Sequence, residues 1–296
     1  MRSRKTLSFS SEASSSQELL LISRLMKENE SYERPIFIQD LVYNLALEMK
    51  IYAYKAGFAI GELAEQHYPG ASTLEKLLLG AGMGKVVYYP FEFHAVITSS
   101  KRKGGNAGTN MHVFESGLIS GFLSAESGTT INVAETHCAN YKDDFCQFLA
   151  TRDINPYKDL FAIESIDKAT EILSEAIKAE NKYNKDYYLL SFLPLMEKPL
   201  LNSAAKLFYV LGQNLAKINP GEGETLPLLL NYLHIGGKIG KNGIIEMEYS
   251  HETSSTGFVL LNEMLVRGYL ENALHCKVNV KQHINKGAYR VEVTTE

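Results

Sequence analysis

Cysteine is scarce in this chain, with three residues in 296. So small and odd a number cannot build a disulfide scaffold, and a reducing, cytoplasmic setting is expected. Long apolar runs are missing too. A membrane-spanning helix needs roughly 20 consecutive apolar residues. The most apolar region, YYLLSFLPLMEKPLL (187–201), is broken by Pro194, Glu197 and Lys198, so no membrane span is expected. Excess charge of one sign is absent: a net charge of -4 gives no bulk attraction to nucleic acid or anionic lipid. Residues 1–17 hold Arg2, Arg4, Lys5 and many serines but no apolar centre, so they read as a disordered tail rather than a secretory leader. No G-x-S-x-G elbow, P-loop or H-E-x-x-H occurs, and the carboxylates form no obvious pair. A non-catalytic reading therefore leads.

What is present is an ordinary globular composition, 45% hydrophobic and 22% charged, able to form a core. The chain also resembles itself. With Gly121 placed over Gly268, GFLSAESGTTINVAE (121–135) lies over GYLENALHCKVNVKQ (268–282) without a gap. The flanking order of elements repeats. A long apolar helix pattern (41–69, then 200–220) precedes a short one (72–80, then 225–237). A glycine-rich turn follows (GAGMGK, then GGKIGKNG), then a strand-like run (86–100, then 244–253). A helix carrying the Gly-Phe/Tyr-Leu step leads into a terminal hairpin (131–153, then 278–296). The pattern predicts an α+β protein of two tandem helix-plus-antiparallel-sheet repeats, the second degenerate. The repeats span 18–155 and 185–296. The segment between them, 156–184, is a linker whose charged, periodic stretch from Ile163 predicts a helix.

Two glycine-rich loops need weighing. GAGMGK (80–85) has a helix before it and a strand after, the reverse of a phosphate-binding loop, so it reads as a connecting turn. SSKRKGGNAGTN (99–110) carries Lys101, Arg102 and Lys103 and reads as a solvated loop. His94, in the aromatic run YYPFEFHAV, reads as a partly exposed strand residue, with Tyr89, Phe91 and Phe93 sharing one face.

The stretch ETHCANYKDDFC (135–146) puts Cys138 and Cys146 at the two ends of a strand–turn–strand. A disulfide, two inert buried thiols and a metal site all fit that spacing. The second hairpin has Gln282 and Asn285 where the first has Glu135 and Cys138, and it has no counterpart of Cys146. These groups are therefore additions to the scaffold, which suggests a joint role.

A helix with a Gly-Phe-Leu-Ser step, a strand and then E-x-x-C-x7-C-x-F resembles the four-vinyl reductase domain family. YKAGFAIGELAE (54–65) resembles that family's glycine-containing long helix. The resemblance implies a small α+β ligand-binding fold, related to nitric-oxide-sensing and transport-protein-particle domains. The phenol-sensing members hold zinc through Cys, Glu, Cys and Cys. Carried over, Glu135, Cys138 and Cys146 match, and the first ligand falls at His112, a change of residue type that keeps a zinc-binding donor. His137 is the rival, but it alternates with Cys138 along the strand and so points away from that ligand. Four protein ligands leave no open position, so the implied zinc is structural. The functional expectation is a sensor or regulator that binds a small hydrophobic or aromatic ligand and acts through a protein partner or as a homodimer. The alternatives are a scaffold resembling vesicle-tethering subunits and an accessory protein in tetrapyrrole vinyl reduction.

Overall fold

The computed structural model describes residues 47–81, 83–89, 95–100, 102–103, 112–137, 145–151, 166–178, 198–219, 225–233, 236–239, 245–249, 256–285 and 288–295. Residues 19, 22, 23, 26, 34, 35 and 45 are also described. The chain is α+β. Helices α1 (Leu47–His67) and α2 (Ala71–Gly80) lead into strands β1 (Met83–Tyr89) and β2 (Ala95–Ser100). Helix α3 (Val113–Ser127) and strands β3 (Asn132–His137) and β4 (Cys146–Thr151) follow. Then come α4 (Ile166–Lys178), α5 (Lys198–Ile218), α6 (Thr225–Tyr232), β5 (Gly236–Ile239) and β6 (Ile245–Tyr249). Helix α7 (Thr256–Leu274) and strands β7 (Val278–Asn285) and β8 (Ala288–Thr295) close the second half, and two short strands, Arg34–Pro35 and Arg102–Lys103, pair in parallel apart from these. Among the described residues no helix is long and apolar enough to cross a membrane.

Two four-stranded antiparallel sheets form, ordered β1-β2-β4-β3 and β5-β6-β8-β7. The strands differ from the sequence expectation in three places, one being Arg102–Lys103, read as part of a solvated loop but paired with Arg34–Pro35. The run 86–100, read as one strand, is a hairpin: β1 ends at Tyr89, and β2 pairs back on it with Tyr89 opposite Ala95. Pro90 follows β1 directly and cannot donate to a ladder, which favours a break there. Parts of the glycine-rich stretches, read as turns, are strand as well. Gly84 lies inside β1, while Gly236 and Gly237 open β5 opposite Glu248 and Met247. Glycine weakens a strand without forbidding one. His94, Phe91 and Phe93 lie outside the described residues.

In each half the long first helix and the helix between the two hairpins run parallel and pack through glycine. On α1, Gly57 faces the backbone of Phe114 and Leu118, and Gly61 faces that of Leu118 and Phe122. Contacts that advance together along both helices mean the helices run parallel. From the other side, Gly117 meets Tyr54 and Gly121 meets Phe58. A Cβ at any of these four positions would overlap a backbone carbonyl of the facing helix, so only glycine allows this approach. In the second half, Gly212 of α5 faces Leu265 and Tyr269, and Gly268 of α7 faces Tyr209.

Helix α3 is buried on every side from Val113 to Leu123, as expected of a helix enclosed between a helix layer and a sheet. Hydrogen bonds fasten it to the sheet. Ser120 Oγ donates to the carbonyl of Ile131, and Ser124 Oγ accepts the Ile131 N–H at 2.9 Å. Tyr54 of α1 reaches past them to β3, where its hydroxyl accepts the Val133 N–H at 3.2 Å and donates to the Val133 carbonyl at 3.4 Å. Helix α3 ends at Gly128, whose φ of 66 is the left-handed turn that glycine adopts without strain. Amphipathic α4 turns Ala169, Leu173 and Ile177 inward and joins α5 through Asn214–Asp167 and Asn219–Ser174 hydrogen bonds.

Candidate metal centre

The fastening of α3 to the sheet sets up a polar cluster at the helix's first turn. His112 is the N-cap of α3, but its side chain makes no capping bond. It crosses instead to the sheet, where Nδ1 lies 2.7 Å from Glu135 Oε1 of β3 and 3.7 Å from the sulfur of Cys146, the first residue of β4. The three ligand atoms all lie within 4.8 Å of one another. His112 and Cys146 are fully buried and Glu135 nearly so, at 2% exposure. The ring of Phe148 closes one side, edge-on to His112 with centroids 6.1 Å apart.

A β-bulge aims these groups. Glu135 pairs with Phe148, yet His137 pairs with Gln147, so β3 advances two residues while β4 advances one. Strict alternation would put Glu135 and His137 on one face. The extra residue separates them. Glu135 turns in with Cys146 and Phe148, while Thr136 turns out and bonds Gln147. His137 lies on the outer side, stacked on the exposed ring of Phe145 with centroids 5.4 Å apart. It takes no part in the buried group. Cys138 lies outside the described residues.

The donor set suits a divalent metal: one imidazole nitrogen, one carboxylate oxygen and one sulfur. Zinc bonds of about 2.0–2.3 Å at tetrahedral angles would hold N and S about 3.6 Å apart and N and O about 3.3 Å apart. The sulfur and Nδ1 already stand at that spacing. The carboxylate would have to swing out by about 0.6 Å to admit the ion. The second oxygen, Glu135 Oε2, is buried and has no hydrogen-bond partner. A buried imidazole–carboxylate pair contributes little net stability, because desolvation offsets its Coulomb attraction. Its presence beside a thiol fits a ligand set better than a stability device.

Sequence reasoning missed two buried polar residues here. Glu115 and Ser116, in the first turn of α3, are both fully buried. The signal was an acid and a hydroxyl inside a helix whose neighbours are apolar. No family model, curated protein or solved structure matches the chain.

Elsewhere, Glu271 of α7 gathers three hydrogen-bond donors. It accepts from Tyr209 Oη at 2.5 Å, Arg267 Nε at 2.8 Å and the Val278 N–H at 3.3 Å. Partial burial pushes its carboxyl up, but these donors together outweigh burial and hold it below the ordinary glutamate value. The same bond to Glu271, with burial, raises Tyr209. This network ties α5, α7 and β7 together and reads as structural.

Proposed function

We propose that the chain is a tandem pair of four-vinyl-reductase-like domains, the first carrying a structural zinc and the second a degenerate copy without one. The buried convergence of His112, Glu135 and Cys146 is the observation that supports this reading. Cys138 completes the ligand set. With four protein donors, zinc would act as a cross-link and offer no position to water or substrate. His112 stands at the start of α3 while Glu135 and Cys146 stand on neighbouring strands, so the ion would clamp the β3–β4 hairpin to the helix. The tandem reading draws support from the shared strand order and the glycine-mediated helix pair of each half.

The protein would act as a non-catalytic sensor or regulator. Each helix pair and its sheet would form one wall of an apolar site for a small hydrophobic or aromatic molecule, and a bound ligand would be signalled to a protein partner. Native mass spectrometry of the full chain, purified without chelator, tests both parts. One zinc per chain plus a retained small-molecule mass is the expected result. Zinc without any ligand would move the reading to a scaffold. A metal-free, ligand-free chain would remove it.

A further inference from the structure

Helix α3 and its N-cap carry a stripe of polar residues at four-residue spacing: His112, Ser116, Ser120 and Ser124. Residues four apart share a helix face. Three of the four are engaged with the strand or its lead-in. Ser120 and Ser124 bond Ile131, and His112 bonds Glu135. Ser116 sits between them, fully buried, and its Oγ has no hydrogen-bond partner. The Val133 backbone on that stretch of strand is already taken by Tyr54. Glu135 Oε2 is likewise buried and without a partner. A hydroxyl that lacks an acceptor thus stands one helical turn along α3 from His112, and a carboxylate oxygen that lacks a donor belongs to the side chain that His112 bonds. Leaving both unmatched is costly, so the arrangement reads as half of an interaction that another state completes.

We propose that Ser116 is a positioning residue for the metal ligand Glu135, its hydroxyl holding Oε2 once Oε1 turns onto the ion. This rests on the metal reading above. The geometry supplies the reason. Admitting a tetrahedral ion moves the carboxylate by about 0.6 Å away from His112 Nδ1, which re-aims Oε2. Ser116 is the next polar group along the face of α3 that carries His112. Hydrogen bonds to a ligating carboxylate fix its orientation, and their loss costs about 10–100-fold in metal affinity.

The test is a competition titration of zinc between the full chain and a chromophoric chelator, with Ser116→Ala and Ser116→Thr beside the unaltered protein and with metal-free melting curves for each. Ser116→Ala should weaken zinc binding by about 10–100-fold. Ser116→Thr, which keeps the hydroxyl, should restore most of it. The metal-free Ser116→Ala protein should melt at or above the unaltered temperature, because an unmatched buried hydroxyl has been replaced by hydrogen. That opposite movement separates positioning from packing. Equal zinc affinity for Ser116→Ala, or an affinity loss that merely follows a lowered metal-free melting temperature, would overturn the proposal while leaving the metal centre intact. An unaltered protein that takes no zinc would overturn both.

Discussion

The two halves solve one packing problem with different residues. Each pairs parallel helices through glycine, Gly61 with Gly121 in the first and Gly212 with Gly268 in the second. Each ties the end of its second helix to the first residue before or within the following strand. Ser124 accepts the N–H of Ile131 in one half, and Glu271 accepts that of Val278 in the other. One turn earlier the halves diverge. Helices α1 and α3 stay in glycine contact through Gly57 and Gly117, whereas α5 and α7 carry Phe208 and Met264 at those turns. The first half is thus drawn tight at the end where His112 meets Glu135 and Cys146. The second fills that level with side chains. What is shared belongs to the scaffold, and what differs gathers around the proposed metal.

The sharpest way to break this comparison is to strip the metal. A strong chelator should loosen the first half by about 4 kcal/mol, if free zinc had been held near a thousand times its Kd. Hydrogen exchange should rise in α3, β3 and β4 and stay unchanged in α5 and α7. Equal loosening of both halves would contradict the assignment of the ion to the first.

Closely behind come the shared glycines. Gly61→Val and Gly212→Val each push a branched side chain into a facing backbone, and each should cost about 3 kcal/mol or more by urea unfolding. If Gly61→Val were tolerated, the helices would not be held in contact as described.

A smaller effect attends the second half's network. Glu271→Gln should cost about 1–2 kcal/mol, since it weakens charge-assisted bonds from Arg267, Tyr209 and the Val278 N–H. The carboxyl is depressed in the folded chain, so its contribution is complete above the ordinary glutamate value of 4.5 and is lost as pH falls through the lower folded value. Tyr209 is raised, so its contribution is complete below its ordinary value of 10.0 and is lost as pH climbs through the raised one. Melting curves of the unaltered protein and Glu271→Gln should therefore converge toward strong acid. A constant gap would show that Glu271 acts through packing alone.

The smallest change concerns Asn262, fully buried on α7 with neither amide atom hydrogen-bonded. It occupies the place of Glu115 when Gly268 is set over Gly121. Asn262→Leu should raise stability by about 1 kcal/mol, because a similar apolar shape replaces an unsatisfied amide. A loss would mean that the amide is matched in solution by a bound group.

Much of this was legible in the chain. Apolar periodicity located the helices, because burial on a helix repeats every three to four positions, but the short helix read over 225–237 stops at Tyr232 and its last two glycines open β5. The Gly121/Gly268 alignment picked out one close-approach glycine in each half, although nothing in sequence said that either was a contact, and it left Gly57, Gly61, Gly117 and Gly212 unmarked. The strands were harder. Glycines at 84, 236 and 237 read as turn residues, yet sheet pairing absorbed them. The bulge at Thr136 had no sequence signal, since an extra residue is defined only by the partner strand. At the site, Glu135 and Cys146 drew notice from their hairpin, while His112 came in through the family resemblance. Spacing alone does not reveal a side chain that reaches across from a helix end.

The most direct test of the central claim is zinc K-edge X-ray absorption on the purified full chain. The account predicts one zinc with two sulfur ligands at about 2.3 Å and two nitrogen or oxygen ligands at about 2.0–2.1 Å. Cys146→Ser should leave one sulfur. A shell without sulfur, or two sulfurs surviving in Cys146→Ser, would contradict it.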